Sequence, residues 1–241
     1  VEKLKSGKVQ EAQKVSGGPV FITGGTGYVG QRLAAELVAR AHKVRVLARP
    51  QSLTRVPTGA EPVIGDALDA ASYASVLTQD DALVHLVGTP HPSPAKAAEF
   101  RRVDLPSIHA AVAAATSAGL AHIVYVSVAH PAPIMQAYID VRSEGESAIA
   151  RAGLTATILR PWYVLGPGHW WPVVLIPLYA LCEVAPPTRS TARRLGLVTI
   201  RQMVRTLVHA VEHPPARGAI RVVEVPDIRR GSVDPGLPVV G

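Results

Sequence analysis

Apolar residues in this chain fall into short continuous runs that alternate with longer stretches of helical periodicity. Residues 20–23, Val-Phe-Ile-Thr, are apolar or β-branched, stop at Gly24, and predict a strand buried on both faces. Residues 28–40 follow with Val29, Leu33, Leu37 and Val38 on one side, which predicts a helix. The same reading gives strands at 43–48, 61–64, 82–87, 123–127 and 155–159. Helices are expected at 69–77, with Asp69 as N-cap, at 95–118, broken or kinked near Pro106, and at 136–152, ended by Gly153. The stretches 50–59 and 88–94, rich in Pro, Gly or Thr, read as loops. Repeated strand–helix alternation predicts an α/β fold, a doubly wound parallel sheet of Rossmann type with helices on both faces.

Beyond Trp162 the rhythm changes. Two apolar segments, 170–182 and 198–211, suggest a small helical lobe; 219–225 could return as an added strand, and the tail from Asp227 reads as irregular. The expected organisation is an N-terminal arm over 1–18, a Rossmann-type core over 19–168 and a smaller C-terminal lobe over 169–241. In the arm, Leu4, Val9, Ala12 and Val15 form either one side of a short amphipathic helix or part of a solvated arm. The arm is too polar for a secretory signal, and because the chain starts at Val1 an upstream segment stays open.

Composition narrows the classes. A length of 241 residues, 48% of them hydrophobic, suits one α/β domain with an appended lobe. The single cysteine, Cys182, excludes an internal disulfide framework and a cysteine-based zinc site, and it fits a reducing, cytoplasmic setting. The nine histidines show no metal-ligand spacing. A net charge of +7 favours anionic partners, but the arginines are scattered and no nucleic-acid motif is present, so no nucleic-acid partner is expected. The run 170–182, cut by Pro172 and Pro177, is shorter than the roughly 20 residues a bilayer span needs. Peripheral membrane contact stays open.

The candidate chemistry begins at the turn between the first strand and helix, where Gly24, Gly27 and Gly30 stand in a G-x-x-G-x-x-G pattern. Such a turn aims the first N–H groups of a helix, and its positive dipole end, at the space above, where a pyrophosphate fits. A tight turn without ligand is the alternative. Proteins that prefer NAD usually carry an acid at the end of the second strand to accept from the ribose 2′-hydroxyl. Here that position is Arg49, whose planar guanidinium suits a 2′-phosphate. NADP(H) is therefore the expected cofactor, with Ser52 or Arg55 assisting and NAD(H) as the alternative. His85 reads as a core histidine, while His169, before Trp170 and Trp171, is a candidate donor on the substrate side.

Six segments in order carry a family likeness: T-G-G-T-G-Y-V-G at 23–30, G-D-A at 65–67, H-L-V-G at 85–88, V-Y-V-S at 124–127, Y-I-D-V-R at 138–142 and L-R-P-W-Y-V-L-G-P-G at 159–168. The chain resembles the atypical or extended branch of the short-chain dehydrogenase/reductase superfamily. Within it, the chain is similar to the dinucleotide-binding accessory subunit of respiratory complex I and to NmrA-like regulators. The resemblance implies cofactor contacts from Gly24, Thr26, Gly27, Tyr28 and Val29 in the turn. It adds Asp66 and Ala67 at the adenine, Val87 and Gly88 at a close approach, and Pro161, Trp162, Tyr163 and Val164 beside the nicotinamide. It also implies Tyr138 as proton donor and Ser127 as the residue that orients a carbonyl. The family's lysine, four residues after the tyrosine, is Arg142 here, which keeps the charge for ribose contact but weakens a proton relay. Two tryptophans and the apolar run that follows suggest an apolar pocket wall, or packing of the lobe on the sheet. The expected function is therefore NADP(H)-dependent hydride transfer to an apolar carbonyl or quinone-like substrate. The alternative is a catalytically silent NADP(H)-binding redox sensor or scaffold. A nucleotide-sugar epimerase relative is disfavoured by the short, apolar C-terminal portion.

Overall fold

The computed structural model describes residues 18–168 and 194–231. Seven strands form one all-parallel sheet: β1 (Pro19–Thr23), β2 (Lys43–Ala48), β3 (Glu61–Ile64), β4 (Ala82–His85), β5 (His122–Val126), β6 (Ala156–Arg160) and β9 (Ile220–Glu224). Their order is β3-β2-β1-β4-β5-β6-β9, so the connection direction reverses between β1 and β4. That reversal opens a crevice at the carboxyl ends of β1 and β4, the place where open α/β sheets bind ligands. A two-stranded parallel sheet, β7 (Tyr163–Leu165) with β8 (Leu197–Thr199), lies beyond β6.

The side-chain period of two sorts the strands onto two cores. Val20, Ile22, Val44, Val46, Val84 and Val124 pack with Leu33 and Leu37 of α1 (Tyr28–Ala39). The same face receives Met203, Leu207 and Val208 of α4 (Ile200–Glu212). On the other face Phe21, Leu83, Ile123 and Ile158 meet Ile108, Ala111 and Ala115 of α2 (Leu105–Ala118) and Ile149 of α3 (Gln136–Arg151). Burial on both faces explains why the strands read as continuous apolar runs.

Several expected elements take another form. Residues 69–77 are two 3₁₀ turns, Ala70–Ser72 and Ala74–Val76, and not one helix, although Asp69 does accept from the Ala71 N–H. Tyr73 leaves the helical region (φ −145°, ψ −8°), and its ring stacks on Phe21 at 5.7 Å between centroids. Burying the aromatic ring outweighs the modest helix propensity of this stretch. The helix expected over 95–118 breaks into a helical turn, Ala97–Glu99, a π-helical stretch, Phe100–Asp104, and α2. The irregular stretch ends just before Pro106, whose missing N–H prevents a continuous ladder. Pro50–Arg55 adds a 3₁₀ helix inside the expected loop.

After residue 194 the chain opens with β8 where helix was expected. Its α4 packs on α1, and β9, the added strand suggested at 219–225, joins the edge of the main sheet beside β6. The tail expected to be irregular from Asp227 runs through a short helix, α5 (Val225–Arg230), closed by left-handed Gly231. The arm over 1–17, His169, the apolar run 170–182 and the end of the tail lie outside the described residues. Among the described residues, no helix is long and apolar enough to cross a membrane.

Candidate active site

The crevice is built around the β1–α1 turn. Gly24 has φ +76°, a left-handed value that favours glycine, and a Cβ there would lie 2.8 Å from Leu86 C and Val87 N. The turn is thus pressed against the end of β4, and Leu86 N donates to Thr23 O at 2.9 Å. Gly30 admits the helix itself, because a Cβ would run into Gly24 O and the Gly25 backbone. Gly27 is the exposed N-cap of α1, and no acidic residue occupies the first helical turn. The N–H groups of a helix start lack intrahelical acceptors. A pyrophosphate over Gly27 therefore meets donors and a favourable dipole with no side chain in the way. Thr26 is partly buried, and its carbonyl accepts from Gln31 Nε2 at 3.0 Å. Tyr28 and Val29 are also partly buried, and Val29 packs on the α1-side core.

Arg49 follows β2 on the same sheet edge and is exposed, with no side-chain ion pair among the described residues. Ser52 N donates to Arg49 O at 2.8 Å, so the 3₁₀ helix fixes the arginine's backbone. Asp66, just past β3, is an exposed turn aspartate, its Oδ1 accepting from Leu68 N at 3.0 Å. Ala67 packs against the core beneath it. Pro161 is buried and accepts through its carbonyl from Ala129 N at 3.0 Å, while Trp162 and Val164 pack on the α1-side core. Tyr163 begins β7.

The residues around Tyr138 are arranged differently from the expected catalytic set. Tyr138 is half-buried near the start of α3, its ring 4.8 Å from that of Phe100. Arg142, one turn on, is only 4% exposed. Its guanidinium donates to Asp104 Oδ1 at 2.8 Å, Val126 O at 3.1 Å and Val87 O at 3.3 Å. Its Cζ lies 5.0 Å from the Tyr138 ring centroid and 5.8 Å from that of Tyr125. Burial opposes this charge, but Tyr138, Tyr125 and Asp104 outweigh it and raise the arginine's pKa above its ordinary value. A Cβ at Gly88 would collide with Arg142 Nη2. Ser127, 3% exposed, donates to Glu146 Oε1 at 2.5 Å. Glu146 is also paired with Arg160 through both of its oxygens.

Beneath the crevice runs a polar chain that sequence reasoning missed. Asp104, 1% exposed, accepts from Thr89 N at 3.0 Å and Thr89 Oγ1 at 2.6 Å as well as from Arg142. Its carbonyl accepts from Ser107 Oγ at 2.8 Å, which in turn lies 3.2 Å from His85 Nε2. His85 Nδ1 is 2.8 Å from Thr23 Oγ1 at the end of β1. Burial, helped by the Arg142 charge, pushes His85 down to about 3, so the ring is neutral and structural, as a core histidine should be. Burial also pushes the Tyr125 hydroxyl up to about 12, although Arg142 pulls the other way. The one signal for Asp104 in the sequence is an acid, followed by Ser107, at the point where the charged part of the 95–118 stretch (Lys96, Glu99, Arg101, Arg102) gives way to its alanine-rich part. Among the described residues no cluster of His, Cys, Asp and Glu is arranged to hold a metal.

The family model described as NAD(P)H-binding matches residues 24–166, more than half of the chain. The chain is 29% identical over 216 residues to a ceramide reductase of Caulobacter vibrioides, covering 88% of this chain and 66% of that protein. It is 27% identical over 168 residues to a 4-hydroxy-2-methyl-3-oxo-4-farnesyl-3,4-dihydroquinoline-1-oxide ketoreductase of Stigmatella aurantiaca, covering 61% of this chain and 50% of that one. The chain therefore spans between half and two thirds of the length of these two relatives. A short-chain dehydrogenase/reductase superfamily protein from Agrobacterium tumefaciens, solved with bound NAD, superposes with a TM-score of 0.62 at 19% identity, over 86% of this chain and 77% of that one. That likeness bears on the fold. The chain belongs to the NAD(P)H-binding family.

Proposed function

We propose, from its place in the NAD(P)H-binding family, that this protein is an NADP(H)-dependent reductase of apolar ketones or quinone-like compounds. The observation that carries the reading is the link across Arg142. That side chain bonds Val87 O, on the strand end pressed against Gly24, and lies 5.0 Å from the Tyr138 ring, so Tyr138 stands one side chain from the cofactor crevice. The residues that would hold the dinucleotide are Gly24 to Val29 at the pyrophosphate, Arg49 at the ribose 2′-phosphate, Asp66 and Ala67 at the adenine, Val87 along the β4 end, and Pro161 to Val164 near the nicotinamide. When bound, the reduced cofactor supplies a hydride to a carbonyl carbon. Tyr138 holds the proton that the carbonyl oxygen takes to become an alcohol. An apolar substrate agrees with the two curated relatives, whose names describe a ceramide and a farnesyl-bearing quinoline as substrates. The single cysteine, Cys182, supports placing the protein in the cytoplasm.

Titration with both dinucleotides tests the cofactor assignment. A charge-assisted arginine–phosphate contact is worth about 1.5–3 kcal/mol, roughly ten- to a hundredfold in affinity. NADPH is therefore expected to bind tighter than NADH by about that factor, and Arg49→Ala to erase the difference. Equal affinities, unchanged in Arg49→Ala, would refute it.

One observation favours a second reading, a dinucleotide-binding redox reporter without turnover. The Ser127 hydroxyl is given to Glu146 Oε1 at 2.5 Å, and so is committed elsewhere. Stoichiometric NADPH binding with no reduction across a panel of ketones, aldehydes and quinones would select this reading over the first.

A further inference from the structure

We infer that Arg142, charge-balanced by Asp104, is a positioning residue that clamps the crevice and does not itself bind the cofactor. This rests on the reading that the β1–α1 turn holds NADPH. Three acceptors take up the Nη1 and Nη2 donors of the guanidinium: Asp104 Oδ1 from α2's N-terminal side, Val87 O beyond β4 and Val126 O at the end of β5. Arginine donates in a rigid planar fork, so one group meeting three fixed acceptors sets the spacing of the two strand ends. The carboxylate is fixed in turn by Thr89 N and Thr89 Oγ1, which tie the loop after β4 to the same ion pair. The clamp reaches the dinucleotide turn directly, because Val87 N stands 2.8 Å from where a Gly24 Cβ would be. Arg142 is also buried to 96% by its 4% exposure, so its donors face protein and not the open crevice.

Gly88 is the matching half of the device. The space its Cβ would fill is taken by Arg142 Nη2. Glycine at 88 is thus required by the guanidinium, whereas the family likeness suggests that it makes room for the cofactor. The two explanations predict opposite behaviour when the guanidinium is removed.

The test measures NADPH affinity by cofactor fluorescence on the full chain, with folding checked by circular dichroism. In the native background Gly88→Ala is expected to weaken NADPH about tenfold or more, because Arg142 must be displaced. In a background of Asp104→Asn with Arg142→Met, which removes both charges and avoids an orphaned ion, the same Gly88→Ala is expected to cost less than about twofold. An equal loss in both backgrounds would overturn the clamp and return Gly88 to cofactor approach. Arg142→Lys provides a milder variant if the double background fails to fold. One ammonium cannot serve three acceptors in a fixed fork, so NADPH affinity should drop severalfold. Unchanged or tighter binding in Arg142→Lys would overturn the clamp, since a lysine there would then be acting as a direct ligand. Failure of the native protein to bind any dinucleotide would refute the underlying NADPH reading. Native binding with background-independent Gly88→Ala would refute the clamp alone.

Discussion

Tyr138 packs its ring against Phe100 at 4.8 Å and over the Arg142 guanidinium at 5.0 Å, so deleting only its hydroxyl leaves those contacts in place. Tyr138→Phe is therefore expected to bind NADPH normally while losing turnover by about a hundred- to ten-thousandfold, the range for a positioned acid. Matched kcat and Kd measurements check this, and retained turnover would remove Tyr138 from the chemistry. Ser127 gives a graded comparison. If its bond to Glu146 persists during turnover, Ser127→Ala should lower kcat by less than about tenfold, well below the effect at Tyr138. At this scale spacing picked out the glycine turn and Arg49 after β2, and the family likeness pointed to Tyr138 with Arg142 one helical turn apart. What spacing could not show is direction. The arginine at the lysine position is turned to Asp104, 38 residues away in sequence, and nothing local to residue 142 announces that partner.

Two elements set the stability of the crevice walls. Helix α1 can sit on the turn only because position 30 has no Cβ, as Gly24 O occupies that space. Gly30→Ala should therefore destabilise the protein by about 1–3 kcal/mol through overpacking and weaken NADPH binding as well. Its neighbour α4 starts with a full capping box, Thr199 with Gln202, in which each side chain satisfies the other's backbone N–H. Thr199→Ala should cost about 1 kcal/mol, with a smaller effect on cofactor affinity than Gly30→Ala, since Thr199 caps α4 and not the helix that opens at the glycine turn. Urea unfolding and NADPH titration together separate these outcomes. Strand positions were readable from continuous apolar runs, because both faces of the sheet are buried. The 69–77 segment and the helix before Pro106 were not. Their form depends on a ring stacking with Phe21 and on a proline that cannot donate, and periodicity carries neither.

At the scale of the molecule, two buried histidines among the described residues couple folding to pH. His85 is pushed down to about 3 by burial and the nearby Arg142, and His122 to about 4 by burial and the charge of Arg221. Both are ordinarily near 6.5 once unfolded, so the unfolded chain takes up these protons first. Their contribution is complete above about 6.5 and falls as pH drops toward 4, by at most about 1.4 kcal/mol per pH unit for each ring. His122 Nε2 lies 3.0 Å from Thr157 Oγ1, a contact that glutamine can replace. His122→Gln should therefore lose stability less steeply than the native protein between pH 6 and 4, by about 1 kcal/mol per unit. Parallel curves would contradict the buried neutral ring. The overall architecture also shows how the crevice is assembled. Chain reversal between β1 and β4 opens it, α1 points its N-terminus at it, and the Asp104–Arg142 pair spans its floor from α2 to the ends of β4 and β5. The measurement that bears most directly on the function is a stoichiometric one: NADPH consumed and alcohol formed when the protein meets amphiphilic long-chain ketones. Equal amounts of oxidised cofactor and alcohol, with small polar sugars inert, are the expected result. NADPH bound but never consumed, or consumed only with polar sugars, would contradict it.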